Sequence, residues 1–369
     1  MKIPFVDLKR QYASIKNEID GAIARVLDNT SFIMGKEVSQ FEEHFAAASQ
    51  ARFAIGCSSG TTALHLALMA ASVQAGDEVI TVPNTFIATT EAITHAGAKS
   101  VFVDIDPLDF NLDPAKLEAA ITAKTKAVIA VHLYGQSAQM DKIRDICAKH
   151  QLVLIADAAQ AHLARYQDKP IAQWAEMTTY SFFPGKNLGA YGDAGMVVTD
   201  NAEYAKKLNL LRNHGRLKKY EHEIEGYNYR IDALQAAILD VKLAHLADWT
   251  EKRREHAASY REQLKDIEQV TLPLERSDCY HVYHLFVIKV PQRELIRERL
   301  IQAGIACGVH YPLPLHLQPA YEYLGHTAGD FPQTEASAEQ ILSLPMFAEL
   351  THEEITYTCD TLKEILQEL

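Results

Sequence analysis

The chain has 369 residues, 48% of them hydrophobic and 23% charged, with a formal net charge of -12 from 36 Lys and Arg against 48 Asp and Glu. Its length exceeds what one ordinary core supports, so a large domain with a smaller one is expected, and its apolar content excludes a disordered chain. The acidic balance, without a Lys/Arg tract, excludes a nucleic-acid-tracking surface, so any anionic ligand must be bound locally.

At the start, Met1-Lys2-Ile3-Pro4-Phe5-Val6-Asp7 lacks the apolar core of a signal peptide, and no apolar run reaches membrane-spanning length. Cys57, Cys147, Cys279, Cys307 and Cys359 are odd in number and widely spaced, so neither a disulfide framework nor a zinc site is suggested. Free thiols and an absence of export signals predict a cytoplasmic protein with no metal and no membrane partner.

Short β-branched runs at 78–82, 100–104, 127–131 and 152–156 alternate with helical patterns such as 114–121 and 140–150. Strands this apolar are buried on both faces, which predicts a mostly parallel sheet covered by helices, an α/β fold. A long helical pattern from 232 to about 265 follows, then a strand at 285–290, a Pro-rich stretch at 310–316 and a final helix near 353–369. The division expected is a large domain over 1–245 and a smaller α+β domain over 246–369.

Four segments carry candidate chemistry. In Cys57-Ser58-Ser59-Gly60-Thr61-Thr62, small hydroxyl residues and a glycine lead into a helix, whose first N–H groups and dipole suit a phosphate; plain N-capping by Ser59 or Thr61 is the alternative. Pro83-Asn84-Thr85-Phe86 follows a strand, and Phe86 is either a ring to stack on a flat cofactor or a core aromatic. In Ile155-Ala156-Asp157-Ala158-Ala159-Gln160-Ala161-His162, a carboxylate directly follows a strand, where α/β sheets gather ligands; there it would keep a pyridine nitrogen protonated, or else it is a helix N-cap. The strand 179–181 breaks at Pro184-Gly185 and presents Lys186, able to form a Schiff base and move a proton, with Gly189, Gly192 and Gly195 behind it. Those glycines also read as a flexible surface loop. His281 and His284 look like a metal pair but lack a carboxylate, and both are taken as structural.

In this order, Pro4-Phe5-Val6-Asp7-Leu8, Ser59-Gly60-Thr61, Asp157-Ala158-Ala159-Gln160, Ser181-Phe182-Phe183-Pro184-Gly185-Lys186-Asn187, Tyr227-Asn228-Tyr229-Arg230 and His310-Tyr311-Pro312 resemble the DegT/DnrJ/EryC1/StrS nucleotide-sugar aminotransferases of pyridoxal-phosphate fold type I. That resemblance implies pyridoxal 5'-phosphate, with Lys186 as its Schiff-base lysine and Asp157 on the pyridinium nitrogen. It further implies Gln160 on the ring hydroxyl, Phe86 over the ring face, and Gly60, Thr61 and Ser181 on the phosphate. Asn228 would reach that phosphate from the second subunit of a homodimer. His214 and Arg230 would approach the donor carboxylate or sugar, and His310 and Tyr311 the sugar-nucleotide end.

The reaction implied transfers an amino group from L-glutamate to a keto carbon of a dTDP- or UDP-linked sugar, with C-3 favoured over C-4. A related sugar 3-dehydratase carries histidine at the lysine position, which Lys186 opposes; a cofactor-binding regulatory protein without turnover is the other alternative. Leu163 departs from the family pattern, which has glycine there, and this puts the local backbone path in doubt.

Overall fold

The computed structural model describes residues 1–369, the side chain of Leu217 excepted. Its centre is a seven-stranded sheet ordered Phe53–Cys57, Gly195–Thr199, Met177–Ser181, Val153–Asp157, Thr125–Val131, Glu78–Thr81, Lys99–Phe102. All strands run parallel except Gly195–Thr199, which is antiparallel to both neighbours. The expected strands are thus present with ends shifted by a residue or so.

Successive residues of the central strands enter different cores. Val128, Ala130, Leu154 and Ala156 join one buried cluster, whereas Ala127, Ile129 and Ile155 join another on the opposite face. That alternation follows from the two-residue period of a strand and explains why the runs are apolar throughout. The helix Gly60–Ala70 is apolar nearly all round and lies inside the second cluster with Ala92 and Ile93. The helix Met140–Lys149 puts Met140, Ile143 and Cys147 into the first.

The pattern at 232–265 is a single helix, Ala233–Leu264. Ala233, Ala236, Leu239 and Leu246 pack on the sheet, and Ala257, Tyr260 and Leu264 pack in a third cluster around the antiparallel pair Phe286–Lys289 and Ile341–Leu344. Ile3 belongs to this third cluster, bonded to Gly304 and Ala306. The final helix is His352–Gln367, its Thr351 cap and Glu354 forming a capping box. Among the described residues, no helix is long and apolar enough to cross a membrane.

The glycine-rich stretch after Lys186 is not a surface loop. Asn187, Leu188, Gly189 and Ala190 are buried, and a Cβ on Gly189 would stand 2.3 Å from the Pro184 carbonyl oxygen. Close packing, not flexibility, is what requires that glycine. Leu163 has φ 63°, the left-handed backbone that glycine adopts at least cost, so the path is kept although the glycine is not.

Candidate active site

A cavity of about 530 Å³ opens at the carboxyl ends of Thr125–Val131, Val153–Asp157 and Met177–Ser181, where parallel sheets bind ligands. The start of the helix Gly60–Ala70 forms one wall, and His284, Leu285, His310 and Tyr311 form another. Of the residues singled out from sequence, Gly60, Thr61, Phe86, Asp157, Gln160, Ser181, Lys186, His310 and Tyr311 all line it.

Asp157 ends its strand inside the cavity and is 4% exposed. No regular helix follows it, so it is not a helix cap. The Ala159 N–H donates to Oδ1 at 3.1 Å and the Thr89 hydroxyl to Oδ2 at 3.0 Å, with the Thr85 hydroxyl 3.0 Å behind Thr89. Burial raises its pKa, while these donors and the Lys186 charge pull it down.

Lys186 sits on a tight turn closed by its own N–H to the Phe183 carbonyl at 2.8 Å. The turn is anchored by Phe182, which is fully buried against Phe41 and Phe45 with ring centroids 5.5 and 5.3 Å away. Burying such a ring contributes about 1.5–3 kcal/mol, enough to fix the strand break that presents the lysine. Desolvation lowers the Lys186 pKa to about 8, against the opposing pull of Asp157. The free amine is therefore available near neutral pH, where an exposed lysine would be almost wholly protonated.

The helix start fits a phosphate. Ser59, not Thr61, is the N-cap, accepting the Thr62 N–H at 3.1 Å, and the Gly60 and Thr61 N–H groups have no acceptor within the helix. A Cβ on Gly60 would lie 2.5 Å from the Ser181 Cβ, so the glycine is what lets the helix start and the Ser181 hydroxyl share one cradle. Backbone donors, a hydroxyl and a dipole end meet there.

Phe86 is 54% exposed on the cavity wall, its ring centroid 5.8 Å from that of Tyr311, and is therefore no core aromatic. Gln160 is held by the Tyr134 N–H at 2.7 Å and reaches the Tyr311 hydroxyl at 3.4 Å. Tyr311 thus stands beside Gln160 and Asp157, deeper than a residue confined to the sugar-nucleotide end; His310 bonds Ser343 at 2.9 Å.

Three expected residues are not on this wall. Asn228 is exposed and Arg230 half-buried, and both line an adjoining open cleft that shares Ser59 and Asp193 with the cavity. The Arg230 guanidinium donates to Asn213 at 3.0 Å. His214 lines neither space; its carbonyl oxygen lies 2.6 Å from His222 Nδ1.

Thr85, Thr89, His132 and Asp193 also line the wall and were not among the site residues expected from the sequence. The position of Thr89, one helical turn after Phe86, and of His132, directly after an apolar strand, were the available signals. Of the two histidines taken as structural, His281 is buried and stacked on Tyr283 at 3.9 Å, whereas His284, buried and bonded to Asn187, also lines the cavity because the strand entrance runs along its rim.

A family model for the DegT/DnrJ/EryC1/StrS aminotransferase family matches residues 13–363. The chain belongs to that family. As a member of the DegT/DnrJ/EryC1/StrS aminotransferases it is an aminotransferase that uses pyridoxal 5'-phosphate. It is 49% identical over 366 residues to the pleiotropic regulatory protein of Geobacillus stearothermophilus, covering 99% of this chain and 98% of that one. It is 41% identical over 363 residues to the dTDP-3-amino-3,4,6-trideoxy-alpha-D-glucose transaminase of Streptomyces venezuelae, covering 98% and 96%. The solved structure of S. venezuelae DesV in complex with ketimine intermediate matches with a TM-score of 0.97 at 41% identity, over 98% of each chain.

Proposed function

We propose that this aminotransferase moves an amino group from L-glutamate to C-3 of a dTDP- or UDP-linked keto sugar, in the cytoplasm, as a homodimer. The observation that carries the reading is the meeting of a half-buried Lys186, its pKa lowered by desolvation, with Asp157 in one cavity at the strand ends. The sugar and its position follow the named activity of the Streptomyces transaminase. C-3 is preferred to C-4 also because of Pro184-Gly185-Lys186-Asn187-Leu188-Gly189 and Tyr191-Gly192-Asp193-Ala194-Gly195.

When bound, the cofactor supplies a carbonyl that carries the amino group and a ring that withdraws electrons. The remaining work falls to the chain. Gly60, Thr61 and Ser181 would hold the phosphate, Phe86 would cover the ring face, and Gln160 would bond the ring hydroxyl. Asp157, kept in place by Ala159 and Thr89, holds the proton on the ring nitrogen. Lys186 would hold the cofactor through its side-chain amine and, as an amine whose pKa desolvation lowers to about 8, would move a proton at the substrate carbon.

Asn228 would serve the partner's phosphate and Arg230 would lie toward the donor or sugar, with His310 and Tyr311 on the acceptor side; His214, which lines neither space, takes no part in this proposal. The exposure of Asn228 and of Ile33, both on the open cleft, supports a second subunit there. The domain division falls on the helix Ala233–Leu264, near 245, because its two halves pack in different clusters.

Incubation of the protein with glutamate and a panel of 3-keto and 4-keto nucleotide sugars tests the proposal. Amine formation at C-3 supports it, formation at C-4 shifts the position, and a lack of any amine with cofactor bound contradicts it.

A further inference from the structure

One group on the cavity wall, unassigned in the reaction above, has its proton fixed by its neighbours. Asn187 is buried, and its Nδ2–H donates to the Val282 carbonyl at 3.1 Å. A carbonyl only accepts, so the amide is oriented with Oδ1 toward His284 Nδ1, 3.1 Å away. Oδ1 in turn only accepts, so Nδ1 carries the hydrogen and Nε2 is left with a bare lone pair. Among the described residues nothing bonds Nε2, although the ring, 9% exposed, lies on the wall of the cavity. Burial and the nearby charges of Lys186 and Arg253 push the His284 pKa well below its usual value, so the ring stays neutral.

A fixed acceptor facing ligand space needs a donor from the ligand. The carboxylates of an amino donor present only acceptors toward it, its one donor group, the ammonium, must go to the cofactor carbonyl, and no bond joins Nε2 to Lys186. A sugar presents hydroxyl donors, and the reacting carbon must come to Lys186, the residue adjacent to Asn187. We propose that His284 Nε2 accepts a hydrogen bond from a sugar hydroxyl next to the carbon that is aminated, so that the Asn187–His284 pair reads the sugar. This rests on the nucleotide-sugar reading above.

Calorimetric titration of the cofactor-loaded protein tests it with dTDP-glucose and UDP-glucose, unreactive because they hold a hydroxyl where the substrate holds a ketone, and with their 2-deoxy and 4-deoxy forms. His284→Phe is expected to weaken the glucose ligand roughly tenfold, the size of one hydrogen bond to a buried acceptor, and to leave the free nucleoside diphosphate unaffected. In the natural protein one of the two deoxy forms should show the same loss, and the variant should no longer distinguish it. His284→Gln, whose amide oxygen accepts, should recover part of the affinity. Should His284→Phe fail to fold, His284→Leu, which likewise removes the acceptor, should abolish the same discrimination. A variant that still discriminates, or a natural protein indifferent to both deoxy forms, overturns the proposal. A folded natural protein that binds no nucleotide sugar overturns the nucleotide-sugar reading and this inference with it.

Discussion

At the floor of the cavity Asp157 is 4% exposed and bonded by Ala159 and Thr89, whereas at its lip Asn228 is exposed and the guanidinium of Arg230 is engaged by Asn213. The floor is made by adjacent strand ends of one sheet and closes within the chain. The lip is made by residues 227–230, tied to the sheet edge through a bridge from Cys57 to Arg230 and to the end of the helix Ala202–Arg212 through one from Asn213 to Asn228, and it leaves Asn228 exposed. The dimer proposed above would complete that open rim.

The sharpest way to break the comparison is at the floor. Lys186→Ala should lower turnover by at least about 10³-fold, because covalent link and proton transfer are lost together. Circular dichroism should be unchanged, and near wild-type turnover would remove Lys186 from its role. Asp157→Asn should bind cofactor and still lose on the order of 10²-fold or more, since a neutral amide cannot hold the ring nitrogen protonated. Unimpaired transamination with bound cofactor would contradict that.

The lip gives a smaller, recoverable effect. Lys186→Ala protein mixed with Asn228→Asp protein should regain up to roughly a quarter of wild-type activity after subunit exchange, because half the dimers are hybrids with one intact site. In such a hybrid the chain that keeps Lys186 receives Asn228 from its partner. Exchange verified by mass spectrometry without recovery would mean that Asn228 serves its own chain or no site.

The smallest effect is expected at Leu163. Glycine there relieves left-handed strain but loses packing and adds unfolded-state entropy, so Leu163→Gly should change stability by no more than about 1 kcal/mol. A chemical-denaturation midpoint far outside that range would show that the side chain matters more than the backbone.

The sequence carried the floor well because each of its parts is local. A strand followed at once by Asp157, or broken by Pro184-Gly185 before Lys186, is written in a few adjacent residues. The strand Phe53–Cys57 was not legible, since it is short and contains Gly56, and Gly195–Thr199 hides behind the glycines that pack the Lys186 loop. Thr89 and His284 were missed for another reason: they reach the cavity only because distant segments, a helix start and a strand entrance, are brought to its rim. Periodicity gives a face within one element, not what stands opposite it.

The account depends most on Lys186 being the amine that holds the cofactor. Borohydride reduction of the cofactor-loaded protein, followed by peptide mapping, should place the added cofactor mass on the peptide that contains Lys186 and on no other. Mass on a different lysine, such as the buried Lys242, or none on any lysine, would contradict it.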